Sequence, residues 1–346
     1  SQYTVKWQVN ETGDSLLDVL AVDASGHRIP MAADLSPSDL SARIDFTHLP
    51  IGTYGIELDA TPGGVFTSPG PVQVSPKPVG TNEELLNIST RAEVRTGADI
   101  MIGGFIISGQ LPQCVLVVGR GPSVGVSDNL ARLPDPVLTL KSGQTTIARN
   151  DNWQIQDNPA HESIISSLPW APKDILEAAV YACLEPGAYT ALLTDYTNRT
   201  GIGLIEVYDA DPGPSYLYNI STRSWVGTGG LISIAGFVIT GTQPRTVLVR
   251  GLGPSMSPKL PAGTDVLDNP YMRLYRGQTV IATNDNWTEA ANADQIGALA
   301  ATLVPDHSVE PAILVTLEPG TYTAHLLGVG GDTGLGNIAV YDLTGK

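Results

Sequence analysis

Five consecutive residues, Gly121-Pro122-Ser123-Val124-Gly125, fit the G-x-S-x-G pattern in which a serine is presented as a nucleophile. That chemistry needs a strand–turn–helix context in an α/β sheet and a base to accept the serine proton. A later stretch, Gly253-Pro254-Ser255-Met256-Ser257, repeats the pattern without its last glycine. The surroundings of both read as strands, so a tight Gly-Pro turn is the simpler account. Asp332-Thr333-Gly334 matches the aspartic-protease triplet, in which two carboxylates share a proton. Its equivalent earlier in the chain is Arg199-Thr200-Gly201. The second carboxylate is missing, and the triplet reads as a turn. The five histidines (His27, His48, His161, His307 and His325) show no ligand spacing.

Asn150-Asp151-Asn152 and Asn284-Asp285-Asn286 each precede a tryptophan. Oxygen-rich loops of this kind suit Ca2+, which takes six to eight oxygen ligands. Asp151 and Asp285 are therefore candidate calcium ligands, and calcium is the one cofactor the sequence raises. The complete D-x-[DN]-x-[DN]-G loop is absent, and the competing reading is an Asx-closed turn with Trp153 or Trp287 packed over it. Those tryptophans are also candidates for sugar stacking. No catalytic set emerges, and no enzyme activity is expected.

The elements that carry these residues follow from composition and repetition. The chain has 346 residues, enough for two or three domains. Charged residues are only 16%, with 37 Gly and 26 Pro, which points to many short strands joined by turns. The formal net charge of −16 disfavours a nucleic-acid partner or a basic membrane patch. No apolar run is long enough for membrane insertion by a helix. The chain begins at Ser1, as a mature product does after signal-peptide removal, so an extracellular or cell-surface location is expected.

One repeat occurs twice. Residues 87–123 (NISTRAEVRTGADIMIGGFIISGQLPQCVLVVGRGPS) align without gaps to 219–255 (NISTRSWVGTGGLISIAGFVITGTQPRTVLVRGLGPS), with 22 of 37 positions identical. About two would match by chance at average usage. Further matches pair ARNDNW with ATNDNW, LEPGAYTALL with LEPGTYTAHL, and GIGLIEVYD with GLGNIAVYD. The fold expected is all-β: an N-terminal Ig- or fibronectin-like sandwich (1–78), a linker (79–86), a jelly-roll-like β-sandwich repeat (87–210), a linker (211–218) and a second such repeat (219–346). Pro-rich linkers are semi-rigid, so an elongated molecule is expected. A short helix is expected within residues 293–303 (ADQIGALAATL). In the first unit, Tyr3, Val5, Trp7 and Val9 alternate on one face of a strand. That strand either belongs to its own domain or is donated to a neighbouring chain.

Cys114 and Cys183 are the only cysteines, and their counterparts in the second copy are Thr246 and Thr316. Matched Cys–Cys and Thr–Thr positions suggest neighbours on adjacent strands. A disulfide suits an oxidising compartment; two buried free thiols are the alternative. Sequons stand at Asn10, Asn87, Asn198, Asn219 and Asn286, glycosylated only where the machinery exists. At Asn87 and Asn219 a structural turn role is an equal reading.

The NxSTR start, the GGFxIxG and VLxRGxGPS strands, the NDNW turn and the LEPGxYTA strand resemble tandem repeats of large secreted bacterial surface proteins. The later half of each repeat is similar to the pre-peptidase C-terminal family of β-sandwich domains, which accompany secreted enzymes without being catalytic. The resemblance covers residues 87–346. It implies an extracellular structural role as a subunit of a surface filament or layer, joined by β-strand or head-to-tail contacts. Partners would be further copies of the chain or other surface proteins. The rival expectation is an adhesion or carbohydrate-binding module with a glycan partner, and the third is an accessory part of a secreted enzyme.

Overall fold

The computed structural model describes residues 2–6, 16–22, 25, 28–35, 41–45, 52–61, 64–67, 72–74, 85–127, 129–210 and 215–344. The chain is all-β and divides into two units, Ser1–Gly80 and Thr81–Lys346. In the first unit, β1 (Gln2–Lys6) pairs antiparallel with β4 (Ser41–Asp45). A second sheet runs β3 (Arg28–Leu35), β2 (Leu16–Val22), β5 (Gly52–Thr61), β6 (Gly64–Thr67), and β7 (Val72–Val74) also pairs with β5. Strand β1 is thus hydrogen-bonded within its own chain. Trp7 and Val9 of the alternating pattern lie outside the described residues.

In the second unit the first repeat supplies β8 (Leu85–Val94), β9 (Met101–Ser108), β10 (Gln113–Arg120), β11 (Pro136–Ser142), β12 (Thr145–Asn150), α1 (Pro159–Ser167), β13 (Ala178–Leu184), β14 (Gly187–Asp195) and β15 (Gly201–Asp209). The second repeat supplies β16 (Tyr216–Val226), β17 (Ser233–Ile239), β18 (Arg245–Leu252), β19 (Pro270–Arg276), β20 (Thr279–Asn284), α2 (Ala293–Gly297), β21 (Ala312–Leu317), β22 (Gly320–Gly328) and β23 (Gly334–Asp342). Local chemistry places the turns. Gly143 and Gly277 take the left-handed conformation (φ +55° and +59°) that closes the β11–β12 and β19–β20 hairpins. After each LEPG turn the tyrosine folds back: the Tyr189 hydroxyl donates to the Glu185 carbonyl, and Tyr322 to Glu318, both at 2.7 Å. The same rings stack on the Phe of the GGF or AGF strand, Phe105–Tyr189 at 5.6 Å and Phe237–Tyr322 at 5.5 Å.

The two repeats are fused edge to edge in both layers. Strand β9 pairs with β16, and β8 pairs with β17. One layer therefore runs β12-β11-β14-β9-β16-β23-β18-β21, the other β20-β19-β22-β17-β8-β15-β10-β13. Each takes four strands from each repeat. Inward side chains of both form one hydrophobic cluster, from Ala92 and Phe105 in the first copy to Phe237 and Val340 in the second. Strands β8 and β16 begin at Leu85 and Tyr216, inside the stretches expected to be linkers. The expectation of two sandwiches spaced by a stiff connection gives way to one unit, because each repeat covers strand edges that the other leaves bare.

The joint has local two-fold character. Thr90 and Thr222, the same position in each copy, share a buried hydrogen bond of 2.8 Å between their hydroxyls. On either side, the next residue of the NISTR motif reaches across: Arg91 Nη2 donates to the Gly230 carbonyl and Arg223 Nη2 to the Ala98 carbonyl. Asn87 and Asn219 lie inside β8 and β16 rather than in turns, and Asn219 is only 5% exposed. The folded chain leaves no room for a glycan at Asn219.

The outer face of β13-β10-β15 is capped by α1, where Asn158 Oδ1 accepts from the Ala160 amide and Pro159 begins the helix. Ile165, Trp153, Leu116 and Tyr208 pack there into a separate cluster. The helix expected within 293–303 is the five-residue α2, whose Ile296 packs on Leu248 and Tyr341. Cys114 and Cys183 form a disulfide between directly opposed residues of β10 and β13. Thr246 and Thr316 meet the same way in the second copy, Oγ1 to Oγ1 at 3.0 Å.

Two outcomes follow. Thr90→Val should lower unfolding stability by about 1–3 kcal/mol, because Thr222 then keeps an unpaired buried hydroxyl. The Thr90→Val/Thr222→Val pair should cost clearly less than the sum of the single changes, as urea denaturation in a double-mutant cycle will show. Replacing Cys114 and Cys183 by the Thr pair of the second copy should keep the fold, by circular dichroism, while lowering stability by about 2–4 kcal/mol for the lost cross-link.

Candidate functional site

The serines of the two Gly-Pro-Ser loops, which follow β10 and β18, converge on buried glutamates. Glu177 and Glu310 stand just before β13 and β21, and both are 0% exposed. Glu177 Oε1 accepts from the Gly121 amide (3.2 Å), the Ser123 amide (3.0 Å) and the Ser123 hydroxyl (2.6 Å). Glu310 accepts from the Gly253 amide (2.8 Å), the Ser255 amide (2.9 Å) and the Ser255 hydroxyl. The glycine is required by close approach. A Cβ at Gly121 would lie 2.0 Å from the Leu133 carbonyl oxygen, and one at Gly253 would lie 1.9 Å from that of Leu267. Each serine proton is directed at a carboxylate and not at an imidazole. His307 contributes only its backbone amide to Glu310, at 3.4 Å.

The NDNW turns complete the same construction. The Trp153 amide donates to the Glu177 carbonyl (2.8 Å), and the Trp287 amide to that of Glu310 (3.0 Å). Asn150 Oδ1 accepts from the Ala179 amide (3.0 Å) and Asn284 Oδ1 from Ala312 (2.8 Å), while their Nδ2 groups donate to the Asn152 and Asn286 carbonyls, both at 3.1 Å. Trp153 is 9% exposed beneath α1 and offers no face to a sugar. Asp151 and Asp285 sit half-buried in these turns. Among the described residues, no three His, Cys, Asp or Glu side chains are grouped to hold a metal ion.

Around the first glutamate the charges form a network. Arg120 Nη1 lies 3.5 Å from Glu177 Oε2, its Nε donates to Glu206, and its Nη2 donates to the Trp170 carbonyl at 2.8 Å. Burial works against the guanidinium charge, but Glu206 and then Glu177 outweigh it and hold Arg120 above its ordinary value. Tyr208 donates to Glu206 Oε1 (2.7 Å) and stacks on Trp170 at 4.7 Å. Burial first, then the Glu206 charge, keeps this phenol protonated well above the usual range. The second copy reaches a different solution: Arg250 donates to the Tyr341 hydroxyl (2.8 Å) and to the carbonyls of Thr302 and Leu303 (2.7 Å each).

Asp332 accepts from the Asn269 amide (3.0 Å) and the Thr333 amide (2.9 Å), as a turn residue does. In the first copy the corresponding contact to the start of β11 comes from Asp195, which accepts from the amides of Asp135, Thr197 and Arg199 and from the Thr197 hydroxyl. Burial opposes its ionisation, yet these donors prevail and hold Asp195 below the ordinary carboxylate value. His161 meets the edge of Tyr181 and His325 lies against Tyr275, while His27 and His48 fall outside the described residues, as does Asn10. Of the remaining sequons, Asn198 is exposed in a turn with φ +57°, and Asn286 is half-buried. Sequence reasoning missed Glu177 and Glu310, although both hold the same place before matching strands.

Glu177→Gln puts an NH2 where either the Gly121 and Ser123 donors or the Lys173 amide and Arg120 meet an oxygen now. We expect a loss of about 3 kcal/mol or more, read as a lower urea midpoint, as is usual when a buried charged partner is removed. Ser123→Ala should cost about 1–2 kcal/mol by the same measurement, since one hydrogen bond to a charged group is lost. No protein-family model matches this chain, and no curated protein is detectably similar to it.

Proposed function

We propose that the chain is a non-catalytic extracellular structural protein, a subunit of a surface filament or layer joined by head-to-tail contacts. The observation that carries this reading is where the repeated polar residues go. Ser123, Ser255, Glu177, Glu310, Asn150 and Asn284 are satisfied by one another or by backbone groups, so they act as clasps for loops. The fusion of the repeats supports a stiff subunit, since each layer continues through the joint. The disulfide suits an oxidising compartment. Strand β1 has a partner in its own chain, which favours head-to-tail contact over donation of residues 2–6.

The rival reading, carbohydrate binding, draws support from Tyr271 and Tyr275, which lie on the outward side of β19. Negative-stain electron microscopy and sedimentation velocity separate the two. The purified chain should form concentration-dependent assemblies that survive deletion of residues 1–12. A chain that stays monomeric at every concentration tested and binds an arrayed glycan would overturn the structural reading.

A further inference from the structure

The outward side of the β8-β17-β22-β19 sheet carries a row of side chains in register. Arg91 is opposite Ile234, Ile234 opposite His325, and His325 opposite Arg273. Tyr271 and Tyr275 flank Arg273 on the same face of β19. The Arg273 guanidinium lies 5.3 Å from the Tyr271 ring centroid, and the His325 and Tyr275 rings are 4.4 Å apart. The row holds hydrogen-bond donors on two guanidiniums, an imidazole and two phenols. Among the described residues no carboxylate is ion-paired with Arg91, His325 or Arg273.

Arg91 also serves the joint through the Gly230 carbonyl, but the fold does not require His325, Arg273 or the two tyrosines. In the other layer the equivalent positions are Arg223, Ile102, Leu192 and Thr139, in the same register, and Val137 and Lys141 replace the tyrosines. That layer builds the same structure with one arginine where the second has two and a histidine. Cationic side chains opposite one another on neighbouring strands repel. Burial, then Arg91 and Arg273, holds His325 below its ordinary value, while contacts with Tyr271 and Tyr275 hold Arg273 above its own. An uncompensated donor-rich face on a chain with 35 acidic against 19 basic residues is matched in charge by that chain's own surface.

We propose that this face, centred on Arg273, His325 and Arg91, docks the carboxylate-rich surface of a second copy of the chain. The proposal rests on the structural reading above and assigns one side of its head-to-tail contact. The contact is heterologous, a basic face on one copy meeting an acidic surface on the next, and heterologous contacts that do not close generate open assemblies.

The test compares the wild type, Arg273→Glu and Thr139→Glu by sedimentation velocity, with thermal melting to verify the fold. Arg273 is exposed and Thr139 is its half-buried counterpart in the other repeat. We expect wild-type assembly to weaken at about 0.5 M salt, where the Debye length is a few ångströms. Arg273→Glu should weaken it about tenfold or more, and Thr139→Glu should leave it unchanged. If the wild type assembles and Arg273→Glu assembles equally well, or Thr139→Glu weakens it as much, the docking face is wrong while the structural reading stands. A wild type that never assembles sinks both. Polygalacturonate serves as a competing probe. Binding that Arg273→Glu abolishes, with self-association untouched, would make the occupant an acidic glycan and overturn the second copy as partner.

Discussion

Edge-to-edge pairing of the two repeats is the constraint on which the second unit depends. A four-stranded half-layer ending in β9 or β17 presents unpaired amides and carbonyls along its free side, and those groups need partners. Here the partner is the first strand of the other repeat, so β16 completes β9 and β8 completes β17. The arrangement places Thr90 and Thr222 against each other in the middle of the core, each satisfying a hydroxyl that would otherwise be buried alone. Duplication thus does more than lengthen the protein. It closes two strand edges, joins two cores into one and makes the NISTR motif a crossing device.

Away from the joint, each repeat holds its long excursion between β12 and β13, or β20 and β21, with the same clasp. A buried glutamate takes donors from the Gly-Pro-Ser loop through its side chain and from the tryptophan through its backbone carbonyl. Three sequence-distant segments meet at one residue. The cost of burying a carboxylate is offset by several short hydrogen bonds. In the first copy Arg120 adds a counter-charge; in the second Arg250, two positions earlier in the motif, caps a tyrosine instead. The disulfide and the Thr246–Thr316 pair show the same pattern, one position pair solved by different chemistry.

These solutions bear on function because they consume the groups that looked chemical. The serine of the G-x-S-x-G match, the aspartate of the Asp-Thr-Gly match and the asparagines of the NDN triplets all serve local architecture. Where the copies diverge without architectural need, as at Leu192 against His325 and Thr139 against Arg273, the difference lies on an outward face. Those outward differences are the ones on which the proposed docking face rests.

Sequence alone determined the duplication, the all-β class and the turn character of the catalytic look-alikes, and it suggested Cys114 and Cys183 as neighbours, while the structure showed them bonded. These are local or comparative properties: Gly and Pro set turns, alternation sets strands, and matched positions in two copies report shared environments. The helix within 293–303 was legible as well, though only its first five residues are helical. What tertiary structure decided was which strand lies beside which. Period-two alternation says that Arg91 and Thr90 point to opposite faces, but carries no information on whether β8 meets β15 alone or β17 too. The fusion of the repeats and the meeting of Thr90 with Thr222 arise from pairings over more than a hundred residues, while the convergence on Glu177 and the His325–Arg273 step of the outward row span about half that. Such pairings are set by the shared burial of two layers, a property of the folded whole that no single segment encodes.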